Sequence, residues 1–199
     1  MLQFQRELFG IAAGVTSVFA AAPYICSILN GRTRPSGPSW WTWALSTTIA
    51  VSSSWFAGAG WAVLVLPICL CVSQIAVAAL SVEYGDNSWD TLNKACIAGA
   101  CSGIFFWLVL RQPLAALAAA IAADLLASVP NLRHAWRKPA EENRLAWTLA
   151  WCSAVLAVAA ANQWSVAECG WAIYFLANAT VVVVLVWRPA LPHLFAGAR

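Results

Sequence analysis

Pro113-Leu-Ala-Ala-Leu-Ala-Ala-Ala-Ile-Ala-Ala-Asp-Leu-Leu-Ala-Ser-Val-Pro130 decides how this chain is read. It is an apolar run interrupted by one carboxylate, Asp124, and closed by a proline. About 20 mostly apolar residues suffice for a membrane-spanning helix. A charge at the bilayer centre costs roughly 2.5–3.5 kcal/mol on insertion scales, so an acid kept there is expected to face the interior of a helix bundle. The run therefore predicts a membrane helix with a lipid side and an inner side, Asp124 on the inner one.

The rest of the chain agrees. Of 199 residues 62% are apolar and 10% charged, against roughly a quarter charged in soluble domains. Mean hydropathy is +0.73 and there are 13 tryptophans. These values exclude a cytosolic globular enzyme, a disordered chain and a nucleic-acid binder. The formal net charge of +3 is too small for a basic patch, so the placement of the positives matters more than their sum. The seven cysteines form no CxxC. Cys69 and Cys71, two residues apart, point to opposite sides of a helix, and the set reads as small apolar filling. His134 and His193 belong to no ligand cluster, and no phosphate-binding glycine loop occurs, so neither a metal nor a cofactor is expected.

Seven spans are expected: Leu8–Leu29, Trp40–Ala57, Gly60–Val82, Thr91–Leu110, Pro113–Pro130, Leu145–Ala161 and Val166–Trp187, separated by polar or turn-forming stretches. Phe9 to Ala22 ends in three alanines, as a cleavable signal does. Pro23 follows directly and Glu7 offsets Arg6, so the segment is read as a helix that stays. Lys and Arg in short loops favour the cytoplasmic side. One side collects Arg32, Arg34, Lys94, Arg133, Arg137, Lys138, Arg144, Arg188 and Arg199; the other holds Arg6 and Arg111. This predicts the N-terminus outside, the C-terminus cytoplasmic and an odd number of spans.

A shift of 107 residues lays Pro23 on Pro130, Trp40 on Trp147 and Ser17 on Asp124. Each copy then reads as a helix end, a basic proline-containing loop and the next helix start. Three helices fall in each half, and the leftover fourth would cross once, so the halves face the same way. The expected fold is an all-α integral membrane protein with a 3+1+3 parallel repeat of triple-helix bundles: residues 1–86, a linker with the fourth span over 87–112, and residues 113–199.

With that plan, Gly31-Arg-Thr-Arg-Pro35, Ser39-Trp-Trp-Thr-Trp43, Asp124 through Pro130, and Ala135-Trp-Arg-Lys-Pro139 with Glu141 resemble a bacterial branch of the SWEET and PQ-loop clan of membrane transporters. The Pro-Gln dipeptide that names the clan is replaced, since Tyr24 and Asn131 follow the two prolines. The resemblance implies transport across a bacterial cytoplasmic membrane, with helix-breaking Pro23 and Pro130 as rocking hinges. It also implies that tryptophans and amides enclose the solute, the best-matching positions being Trp55 with Gln74 and Trp164 with Asn178. Proton-coupled members use membrane aspartates, which bears on Asp124.

From the residues themselves, Asp124 is open to three roles: a neutral acid bonded to Ser or Thr for packing, a proton- or substrate-binding carboxylate, or an intramembrane catalytic acid. Most tryptophans fall near helix ends, where their rings anchor at headgroups; Trp43, Trp55 and Trp151 are candidates for interior roles. Gly10, Gly14, Thr16 and Ser17 suit close helix approach. The leading expectation is a carrier of a small polar solute, sugar-like or amino-acid-like, by alternating access. Two others stand beside it. One is an enzyme acting on a lipophilic, isoprenoid-like substrate, which requires a second carboxylate near Asp124, with Glu83 and Glu168 nearest in sequence. The other is a sensor or accessory subunit.

Overall fold

The computed structural model describes residues 2–87, nine positions between 91 and 109, 111–139 and 142–189. Among the described residues the chain is helical, without a strand. Six helices are α1 (Leu2–Leu29), α2 (Gly37–Phe56), α3 (Trp61–Tyr84), α4 (Pro113–Arg137), α5 (Arg144–Ala159) and α6 (Val166–Trp187). The expected fourth span, Thr91–Leu110, lies mostly outside the described residues. Among the described residues four helices, α1, α3, α4 and α6, are long and apolar enough to cross a membrane. Their outer faces expose large apolar side chains such as Phe19, Val72, Leu125 and Val184, as lipid-facing surfaces do. Apolar helices of this length are compatible with a membrane protein.

The helix boundaries follow local chemistry. α1 ends where Gly31 turns left-handed (φ +67°), with its N–H donating to the Ile28 carbonyl and that of Arg32 to Ser27. α2 ends likewise at Gly58 (φ +90°), with Gly58 N–H to Trp55 and Ala59 N–H to Ser54. Both are Schellman endings, which only a residue without Cβ enters freely. Asn143 and Ser165 cap α5 and α6 by accepting the N–H of Ala146 and Glu168.

One expectation is corrected. The stretch after Pro130, expected to be a loop from Asn131, stays helical to Arg137. The proline is thus interior to α4 as Pro23 is to α1, and each helix runs six or seven residues beyond it. A third interior proline, Pro67, lies buried in α3. α2 is not an apolar rod. Eight of its residues are Ser or Thr, and most are buried. Hydroxyls such as those of Thr42 and Thr48 bond back to carbonyls one turn earlier, of Pro38 and Ala44, which lets polar side chains sit inside.

α3 packs against both α1 and α2, which share no broad contact with each other. In the second set α6 packs in the same way against α4 and α5. The sets meet through α1 against α5 and α2 against α4. Cys69 and Cys71 do face opposite ways: Cys69 lies beside Gly14 of α1, and Cys71 Sγ is 3.1 Å from Thr48 Oγ1 of α2. At Gly10 a side chain would overlap the Ala62 carbonyl, so the glycine permits the close crossing of α1 on α3.

Candidate functional site

Asp124 sits where α2, α4 and α6 converge. It is 5% exposed. Ser46 of α2, fully buried, donates its hydroxyl to Oδ1 at 2.8 Å, and Tyr174 of α6 donates its phenol to Oδ2 at 2.6 Å. One turn along α4, Ser128 Oγ donates to the Asp124 carbonyl at 2.9 Å and accepts from Asn178 Nδ2 at 3.1 Å. The pairs Asp124/Ser128 and Tyr174/Asn178 are each four apart, so each helix presents both members on one face. Toward the α4 N-terminus the floor is apolar: Ala116, Leu117, Ala120 and Ala123 pack on Ile49, Ala50 and Trp171. The alanine run of α4 is what lets neighbouring helices come this close.

Neither α2 nor α6 carries a Lys or Arg, and those of α4 begin at Arg133. Among the described residues no ion pair reaches Asp124. A buried carboxylate held only by hydroxyls has its hydrogen bonds met but its charge unbalanced. Several buried polar atoms also lack a protein partner: Asn178 Oδ1, Trp171 Nε1, Trp43 Nε1, Thr47 Oγ1, Ser53 Oγ and Gln74 Oε1. Buried polar groups are overwhelmingly bonded, and leaving one unmade costs about 1–3 kcal/mol.

The expected site residues are not all brought together. Asn178 joins the Asp124 cluster through Ser128. Gln74 is half-buried on α3 with its carbonyl oxygen unbonded. Trp55 is 58% exposed near the end of α2, and Trp164 is 81% exposed in the turn before α6. From the first residue of α6 to Asn178 the rise is about 18 Å, so Trp164 and Asn178 stand at different depths. Both rings are exposed near helix ends, where tryptophans of membrane helices commonly anchor at headgroups. Trp43 does turn its indole N–H inward, whereas Trp151 spends its own on Thr180 at 2.9 Å. Trp171, expected at an interface, is instead buried against the α4 alanines. Pro23 is interior to α1; the backbone at Pro130 is helical and its side chain lies outside the described residues. Sequence reasoning missed Ser46, Ser128 and Tyr174. The spacing of Tyr174 to Asn178 was the available signal.

A second polar cluster lies at the helix ends. Glu168, 7% exposed, accepts backbone N–H groups from Asn162 at 2.6 Å and Gln163 at 2.9 Å through Oε2. Its Oε1 lies 3.4 Å from the N–H of Gly60. Arg6 of α1 donates to Asn162 Oδ1 at 3.0 Å. Glu168 therefore ties the α2–α3 turn to the α5–α6 turn rather than approaching Asp124. Glu83 is exposed at the far end of α3. Neither acid considered as a second carboxylate adjoins Asp124.

No family model, curated protein or solved structure matches the chain.

Proposed function

We propose that this chain is an alternating-access carrier of a small polar solute, built as a 3+1+3 parallel repeat in a bacterial cytoplasmic membrane with its C-terminus inside. The observation that carries the reading is Asp124, a buried carboxylate of the second helix set that accepts from Ser46 across the seam and from Tyr174 within its own set. A seam that rearranges is the natural place for a group whose charge can be exchanged.

The repeat is supported by the packing. In each set the third helix lies between the first and second, and the sets meet first-to-second both ways, as a twofold relation along the membrane normal requires. The 107-residue shift that lays Ser17 on Asp124 also lays Ser46 on Ser153, so both seams carry buried polar positions at matching places. The odd span count is supported by the helix ends. Arg6 meets Asn162 and Gly60 meets Glu168 at one end of the bundle, while Pro35 pairs with Asp86 and Arg188 with Trp136 at the other. Tyr84 and Pro113 accordingly stand at opposite ends, and one further crossing between them accounts for it. The nine-to-two division of Lys and Arg supports the Arg34 end as the cytoplasmic one.

The solute would lie beside Asn178 and Gln74, with Asp124 as the proton-coupling carboxylate and Pro23 and Pro130 permitting the halves to rock. Uptake of radiolabelled neutral sugars and amino acids into proteoliposomes tests this. Flux of at least one such solute, lost in Asp124→Asn and reduced in Asn178→Ala with folding retained, is expected. Undiminished flux in Asp124→Asn removes the reading.

A further inference from the structure

Ser46 Oγ has two acceptors in reach, the Trp43 carbonyl at 3.1 Å and Asp124 Oδ1 at 2.8 Å. A hydroxyl has one proton and two lone pairs, so it serves only one acceptor at a time and can itself accept a bond. With Asp124 ionised, both carboxylate oxygens accept, one from Ser46 and one from Tyr174. A neutral acid needs an acceptor for its own O–H. Ser46 supplies it by turning its proton to the Trp43 carbonyl and accepting from Oδ1. Both protonation states are thus satisfied with every heavy atom in place, and the seam avoids the cost of a buried orphan donor in either.

The surroundings isolate this pair. α2 has no titratable side chain. On α6 Glu168, Cys169 and Tyr174 titrate; Tyr174 faces Asp124, while Glu168 bonds the α5–α6 turn and Cys169 the Gln163 carbonyl. On α4 the other ionisable residues are Arg133, His134 and Arg137, at least nine residues on.

We propose that Ser46 is the proton-switch partner of Asp124: its hydroxyl donates to the carboxylate, and swings to the Trp43 carbonyl when Oδ1 takes a proton from water. The seam then changes by one unit of charge without repacking. The proposal rests on Asp124 being the proton-carrying residue of the carrier, and makes Ser46 a positioning residue that sequence pattern did not reveal.

The test is infrared difference spectroscopy of the full chain in lipid vesicles between acidic and neutral pH. A carboxylic-acid C=O band is expected at acidic pH and is lost in Asp124→Asn. Ser46→Ala shifts that band to higher frequency, because the acid O–H has lost its acceptor. Ser46→Cys, nearly isosteric and a weaker partner, shifts it the same way by less, and serves alone if the alanine variant does not fold. No pH-dependent band that Asp124→Asn removes, or a band unmoved in the Ser46 variants, overturns the proposal. Solute flux is measured on the same vesicles. A shifted band without flux leaves the switch and removes the carrier; flux with an unmoved band does the reverse.

Discussion

The phenol of Tyr174 and the carboxylate of Asp124 meet at 2.6 Å, the shortest described side-chain hydrogen bond between α4 and α6. A hydrogen bond to an ionised group contributes about 1.5–3 kcal/mol to stability. Tyr174→Phe is therefore expected to lower thermal stability in detergent by about 2 kcal/mol. In an Asp124→Asn background the same change should cost less, with a coupling of about 1 kcal/mol in the double-mutant cycle. Additive losses would mean that the two groups do not act on each other.

Glu168 has its carboxylate aimed at the N–H groups of three residues from two turns. Glu168→Gln keeps the volume and removes the charge, and should cost about 1–2 kcal/mol; Glu168→Ala leaves the N–H groups open and should cost about 3 kcal/mol. Arg6→Ala, at the bundle rim, should stay within about 1 kcal/mol. Thermal unfolding of the three variants checks the ranking, and an Arg6 effect larger than that of Glu168 would reverse the assignment of the tie.

Gly10 and Gly58 are needed for different reasons, and substitution separates them. Gly10→Ala drives a methyl into the Ala62 backbone and should destabilise by about 1–3 kcal/mol through helix separation, with Gly10→Val worse. Gly58 has open space around it but a left-handed φ of +90°, so Gly58→Ala should cost about 1–2 kcal/mol through the backbone alone. Gly58→Asn should recover part of that loss, whereas no polar replacement rescues Gly10. Unfolding midpoints of the four variants give the comparison.

The two bundle ends make a topology prediction. In a cysteine-free background, Gly58→Cys and Trp164→Cys should react with a membrane-impermeant thiol reagent applied from outside. Arg34→Cys and Arg188→Cys should react only after permeabilisation. Labelling of positions 34 and 164 from the same side would contradict the arrangement of α1 to α6.

The sequence alone determined that the chain forms apolar helices long enough to cross a membrane, because hydropathy and length suffice for that. It placed α6 at Val166–Trp187 to the residue, since Ser165 caps its start. It also put Asp124 inside, because the charge leaves no affordable alternative, and set Cys69 and Cys71 on opposite faces. Only the tertiary structure decided which helix faces meet. In water a helix marks its outer side with polar residues; in a bilayer the lipid side and the packed side are both apolar, so that mark is missing. Ser46 and Tyr174 look ordinary in sequence and become the partners of Asp124 only when α2 and α6 close on α4. Trp55 and Trp164 look like pocket walls and end up exposed near the helix ends. The helix past Pro130 belongs with these, since removing one N–H does not end a helix whose neighbours hold it in line.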